Sequence, residues 1–139
     1  MTDPDGPQQL DEAECRRLLL QVNVGRVALS IKAMPVVVPV NFGLLPDALV
    51  VCSSLNASFP AACDRAIVAF QADGTEIETT VGWSVLVQGR ASLVDPTVTL
   101  DPDAWLSIPP WGDTVPGGAA VRIRLDRVTG HRVPGLHRA

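Results

Sequence analysis

The chain has 139 residues, enough for one domain with a buried core, and 47% of them are hydrophobic, which argues against disorder. Fifteen acidic residues against eleven basic ones leave a net charge of -4, the wrong sign for gripping a phosphate backbone, so a nucleic-acid partner is not expected. No apolar run is long enough to cross a bilayer, since the run at 34–40 stops at Asn41, and the opening MTDPDGPQQLDEAE reads as neither a signal nor a transit peptide. The expectation is a cytoplasmic protein with no membrane partner.

Residues 1–9, rich in Pro, Asp, Gly and Gln, read as a flexible arm. Asp11 is then a helix cap with Glu14 three residues on and Leu10 in the staple position. The helix runs over 12–21, turning Leu18, Leu19 and Val22 inward and Arg16, Arg17 and Gln21 outward, and Gly25 ends it. From there the period changes to two. Residues 26–31 (RVALSI) alternate, 32–34 turn, and 35–42 (PVVVPVNF) form a β-branched run. Pro39 within that run lacks a donor and belongs at a bulge or an unpaired strand edge. Pro46-Asp47 makes the next turn, and 48–53 (ALVVCS) the next strand. The stretch 54–65 is a loop that enters a helical turn after Pro60. Four further strands follow at 66–72, 82–94, 119–126 and 128–133. The proline-rich stretch 95–118 between them allows only a short helix, around 101–108. A closed barrel or a sandwich fits this pattern, and the long strand at 82–94 favours a barrel in which one strand serves both halves.

Chemistry is harder to find. Cys15, Cys52 and Cys63 form no C-x-x-C pair, so they read as reduced thiols, and no metal site can be assembled. Cys52 within LVVCS is a small buried hydrophobe rather than a reactive thiol. His131 and His137 read as solvated. No nucleophile elbow, phosphate loop, zinc-protease motif or dinucleotide fingerprint occurs. Carboxylates such as Glu76, Glu78 and Asp126 are scattered, and no catalytic acid or base can be named. Arg122 and Arg124 alternate with Val121, Ile123 and Leu125, so both point to one face. A solvated or partner-facing strand is the simpler reading of that pair, and an anion site the alternative.

Several segments in order carry a resemblance. They are LDEAECRRLL…VGRVALS at 10–30, MPVVVPVNF at 34–42, IVAFQAD at 67–73, GWSVLVQGRA at 82–91, and PPWGDTVPGG followed by VRIRLDRVTGHRV. Together they resemble the actinobacterial branch of the pyridoxamine 5'-phosphate oxidase-like flavin-binding proteins, over 10–133, with a tail at 134–139. The resemblance implies a mainly β fold, a six-stranded antiparallel split barrel, paired as a homodimer with a cofactor site at the interface. It implies FMN, or a deazaflavin, as cofactor. Carried over by position, Val38, Pro39, Val40 and Asn41 flank the flavin ring, Ser53 touches its phosphate, and Gln71, Trp83 and Ser84 complete the pocket.

The same carry-over places the family's phosphate-binding Arg on Cys52 and its Lys on Ser58. Two lost charge-assisted hydrogen bonds, about 1.5–3 kcal/mol each, weaken phosphate binding by about 3–6 kcal/mol, roughly a hundred- to ten-thousandfold. Two functions follow. One is an oxidoreductase in which the flavin or deazaflavin transfers hydride in a dry, oriented site. The other is a non-catalytic homodimeric binding protein that has lost tight flavin binding. Pyridoxamine phosphate oxidation itself is not expected, because no substrate-binding segment follows Val133.

Overall fold

The computed structural model describes residues 8–53, 58–76, 81–94 and 120–133. The expected helix at 101–108, the proline-rich stretch, the tail and the first seven residues lie outside the described residues. Chain order is β1 (Gln8–Leu10), α1 (Glu12–Leu19), β2 (Val24–Ile31), β3 (Met34–Leu44), β4 (Ala48–Cys52), α2 (Phe59–Cys63), β5 (Ile67–Glu76), β6 (Val81–Val94), β7 (Ala120–Arg124) and β8 (Arg127–Val133).

The strands join in the order β1-β8-β6-β5-β2-β3-β4-β7, and β7 closes back onto β6. Six of them, β2 to β7, therefore form a closed antiparallel barrel, with β8 and β1 added outside the ring. The 14-residue β6 makes this arrangement possible. One side of it pairs with β5 along its length. Its other side serves β8 from Gly82 to Gln88 and then β7 from Ala91 to Val94. The long strand does serve two halves, as its length implies.

Alternation fills the barrel. Val27, Leu29, Val38, Val40, Leu49, Val51, Val68, Phe70, Trp83, Val85, Val87, Val121 and Ile123 are buried in one cluster. Each such side chain contributes about 1.5–3 kcal/mol by leaving water. Cys15, Leu18 and Leu19 bury one face of α1. Gly130 on β8 lets α1 approach, since a Cβ there would stand 2.5 Å from Cys15 Sγ. The cap is as expected, with Glu14 N–H donating to Asp11 Oδ1 at 2.8 Å. Phe59 and Cys63 bury α2, which has proline in its first turn.

Three expectations need correcting. Gln8 and Gln9 do not belong to an arm: they pair with Arg132 and His131 as β1. Helix α1 closes at Leu19, short of Gln21. Gly25 does not end it but lies inside β2, opposite Val40. A Cβ at Gly25 would overlap the Phe70 ring and lie 2.9 Å from Gln71 O, so close packing requires the glycine there. Pro39 is explained by register. The two-residue turn Lys32–Ala33 pairs Ile31 with Met34, and counting outward puts Pro35 and Pro39 at positions whose amides face away from β2. On that side β4 pairs only with Asn41 to Leu44. Both prolines thus occupy an unpaired edge among the described residues, where a missing donor costs nothing.

Candidate functional site

Outward-facing residues of β3, β2, β5 and β6 form two adjacent rows. Pro39 pairs with Arg26, Arg26 with Gln71, and Gln71 with Leu86. One step along, Val37 pairs with Ala28 and Ala28 with Ala69. The second row is apolar through Ala69 and ends on Gln88 in β6; Val37 within it is exposed at 64%, and Ile67, one step further along the same face of β5, at 72%. A large apolar surface left in water at the middle of a sheet face marks a place where something docks.

The first row is polar and internally fixed. Arg26 Nη1 donates to Gln71 Oε1 at 2.5 Å. Gln71 Nε2 donates to Ser84 Oγ at 3.1 Å and to Asp73 Oδ2 at 3.3 Å. Arg26 also lies 3.5 Å from Asp73. An amide that accepts from a cation and donates to a hydroxyl and a carboxylate has its orientation set by its neighbours. The Arg26–Asp73 pair is exposed on both sides and contributes little to stability, so its effect is to place the guanidinium.

The alternation of the strands divides the sequence-selected residues. Pro39, Gln71 and Ser84 come together on the outward face. Val38, Val40 and Trp83 turn their side chains into the core, Trp83 lying against Gly74. Asn41 is buried and stands between Val24 on β2 and Cys52 on β4. Cys52 is buried too, and burial pushes its thiol above the ordinary range. Ser53 follows at the end of β4, half-buried, and Ser58 is exposed at the start of α2, where its side chain does not cap the helix. The Asn41–Cys52 group and the Pro39–Gln71–Ser84 group are linked through β2, where Val24 and Arg26 share a face.

Sequence patterning does not single out Arg26 or Asp73. The available signal was that Arg26 alternates with Val27 and Leu29, which places a cation on the outer face of a strand. What the sequence does not show is that β2 lies between β3 and β5, with Arg26 directly beside both Pro39 and Gln71.

A separate ionic network ties α1 to the sheet. Arg132 Nη2 donates to Glu14 at 2.8 Å and to Glu76 at 2.7 Å, and Arg17 completes the group at Glu14. Hydrogen bonds from Arg17 and Arg132 hold the Glu14 carboxyl at about 2.

A family model described as pyridoxamine 5'-phosphate oxidase matches residues 11–132, nearly the whole barrel. The chain belongs to this family. Among solved structures, the Corynebacterium glutamicum protein named for pyridoxamine 5'-phosphate oxidase is 28% identical. That match covers 99% of each chain at a TM-score of 0.70. An FAD-binding protein from Mycobacterium smegmatis is 24% identical, with 91% of this chain and 97% of that one covered at a TM-score of 0.65. One from Mesorhizobium loti is 22% identical, with 91% and 96% covered at 0.71. These last two likenesses establish the split-barrel fold. An uncharacterised Mycobacterium tuberculosis protein is 33% identical over 91 residues, 62% of this chain, and the match spans 60% of that relative's length. Within this family, the barrel described above is the shared frame.

Proposed function

We propose that the chain is a homodimeric flavin-nucleotide-binding protein and an oxidoreductase of this family. The observation that carries the reading is the outward face itself, where an exposed apolar row lies beside the fixed Arg26–Gln71–Ser84 array. A planar tricyclic ring needs a flat apolar bed and a few polar groups at its edges, and this surface offers both. A second copy applying the same face would cover Val37 and Ile67 and exclude water from a ligand held between the two. When bound, the flavin supplies hydride transfer. The protein's part is to orient the ring and keep the site dry, with Gln71 holding the Arg26 guanidinium toward an electron-rich edge.

The ring end of the site fits this ligand better than the phosphate end does. Cys52 is neutral and buried, and its raised thiol stays protonated at neutral pH. That observation supports the second reading, a dimeric binding protein with weakened flavin affinity, and it keeps a deazaflavin in play as the alternative cofactor. Titration with FMN, FAD and a deazaflavin cofactor, read by ligand fluorescence, decides between them. Saturable binding of one of them, weakened at least tenfold by Arg26→Ala, supports the oxidoreductase reading. No response to any at high micromolar concentration refutes it.

A further inference from the structure

A second basic surface plays no part in the ring site. Arg122 and Arg124 leave one face of β7 and Arg16 reaches over from α1. Together with Asp47, Leu125 and Asp126 they line an open groove of about 370 Å3. Three guanidiniums and two carboxylates line it, and Arg16 has its own counter-ion just outside, Glu12 at 3.7 Å. The cations are held in place. Arg16 donates to two main-chain carbonyls, Leu45 O at 3.4 Å and Pro46 O at 2.5 Å. Arg124 lies 3.3 Å from Asp126, which also accepts from Arg90 N–H and so belongs to the frame.

Asp47 differs from Asp126. Its carboxylate is 71% exposed, while the Arg122 side chain that binds it is 35% exposed, so the cation is set deeper and the acid stands at the rim. The Arg122 guanidinium beside it holds the Asp47 carboxyl below the usual range. A rim carboxylate on an inner arginine occupies the position that an incoming anionic oxygen would take. An arginine fork is also shaped to engage two such oxygens at once. Register adds a location: Arg122 pairs with Val50 and Arg124 with Ala48, and these β4 residues share the face that carries Cys52. The groove therefore opens along the strand whose end lacks the expected phosphate cation, Arg122 roughly 7 Å and Arg124 roughly 13 Å down it from Cys52 by strand rise.

We propose that this groove binds the phosphoryl groups of a phosphate-bearing ligand through Arg122 and Arg124, with Arg16 behind them and Asp47 as a displaceable counter-ion. Two sources share that chemistry: the pyrophosphate of a flavin dinucleotide, an arm that rests on the flavin reading, and a free phosphate ester or pyrophosphate, which does not.

Calorimetric titration of the full chain with pyrophosphate, riboflavin, FMN and FAD tests the proposal, using the wild type, Arg122→Gln, Arg124→Gln and Asp47→Asn. Melting curves serve as the check on folding. The expected result is that pyrophosphate or FAD binds saturably, at least tenfold more weakly in Arg122→Gln or Arg124→Gln and severalfold more tightly in Asp47→Asn. If the flavin is the source, FAD exceeds riboflavin at least tenfold and the excess disappears in Arg122→Gln. If a free phosphate is the source, pyrophosphate binds without displacing FAD. Flavin binding that persists unchanged in every variant, with no pyrophosphate binding, overturns the groove and leaves the flavin reading intact. Arginine-dependent pyrophosphate binding in a protein that takes no flavin supports the groove and removes the flavin reading. Tighter binding in Arg122→Gln, or weaker binding in Asp47→Asn, also overturns it.

Discussion

Gly25→Ala is a small change with a specific expected cost. The backbone there is ordinary extended strand within β2, and glycine is needed because the Phe70 ring lies over it and the Gln71 carbonyl stands beside it. An added Cβ overlaps that ring and approaches Gln71 O to 2.9 Å. The ring has little room to withdraw, because Phe70 is fully buried and meets Phe42 edge-on at 4.8 Å between centroids. Overpacking of this kind costs about 1–3 kcal/mol. Taking about 2 kcal/mol, the melting temperature of a domain this size falls by roughly 8 °C. The larger part of the cost, the ring overlap, should go when the ring is removed, while the contact with Gln71 O stays, so a double-mutant cycle with Phe70→Leu, followed by urea unfolding, should show a coupling of about 1–2 kcal/mol. A glycine that merely terminated a helix would show no coupling to Phe70. Equal costs of Gly25→Ala in the two backgrounds would refute the packing argument.

Other consequences can be measured in the same way. Lys32 and Ala33 both adopt positive φ, 51° and 63°, in the turn between β2 and β3. Such a backbone suits Asn-Gly, so Ala33→Gly should stabilise by about 0.5–1 kcal/mol, seen as a higher denaturant midpoint. Glu14 is held at about 2, below its ordinary value of 4.5, so its contribution is complete above that ordinary value and is lost as pH falls toward 2. The difference in melting temperature between wild type and Glu14→Gln should be constant above pH 5 and shrink steadily between pH 4.5 and 2. Cys52→Arg with Ser58→Lys should raise FMN affinity at least tenfold by fluorescence titration, and an unchanged dissociation constant would mean that the phosphate site is misplaced.

The sequence revealed most where alternation alone sets the structure. RVALSI and GWSVLVQGRA turn every second side chain inward, and the length of the latter foretold a strand shared between two neighbours. Pro39 announced an unpaired edge because a missing amide proton is a local property. Gly25 misleads because a glycine after a helix has a local explanation, the helix stop. Its actual cause is a phenylalanine ring on a strand that meets β2 only in the folded sheet. Arg26 is inconspicuous in the sequence for the same reason: its importance comes from standing beside Pro39 and Gln71 at once, which is a matter of strand order. The inward turn of Trp83 was readable from its alternation with Ser84, yet the resemblance drew both into one pocket, and the structure places them on opposite faces.

The central claim is that two barrels meet over the Arg26–Gln71 face and hold a flavin between them. Sedimentation of the flavin-saturated protein, followed at the flavin's own visible absorbance, tests it most directly. A particle of twice the 14.7 kDa chain mass carrying the colour with it, and returning to a colourless monomer in Val37→Glu, is the result expected. Flavin that sediments with a single chain, or a dimer that takes none, would contradict it.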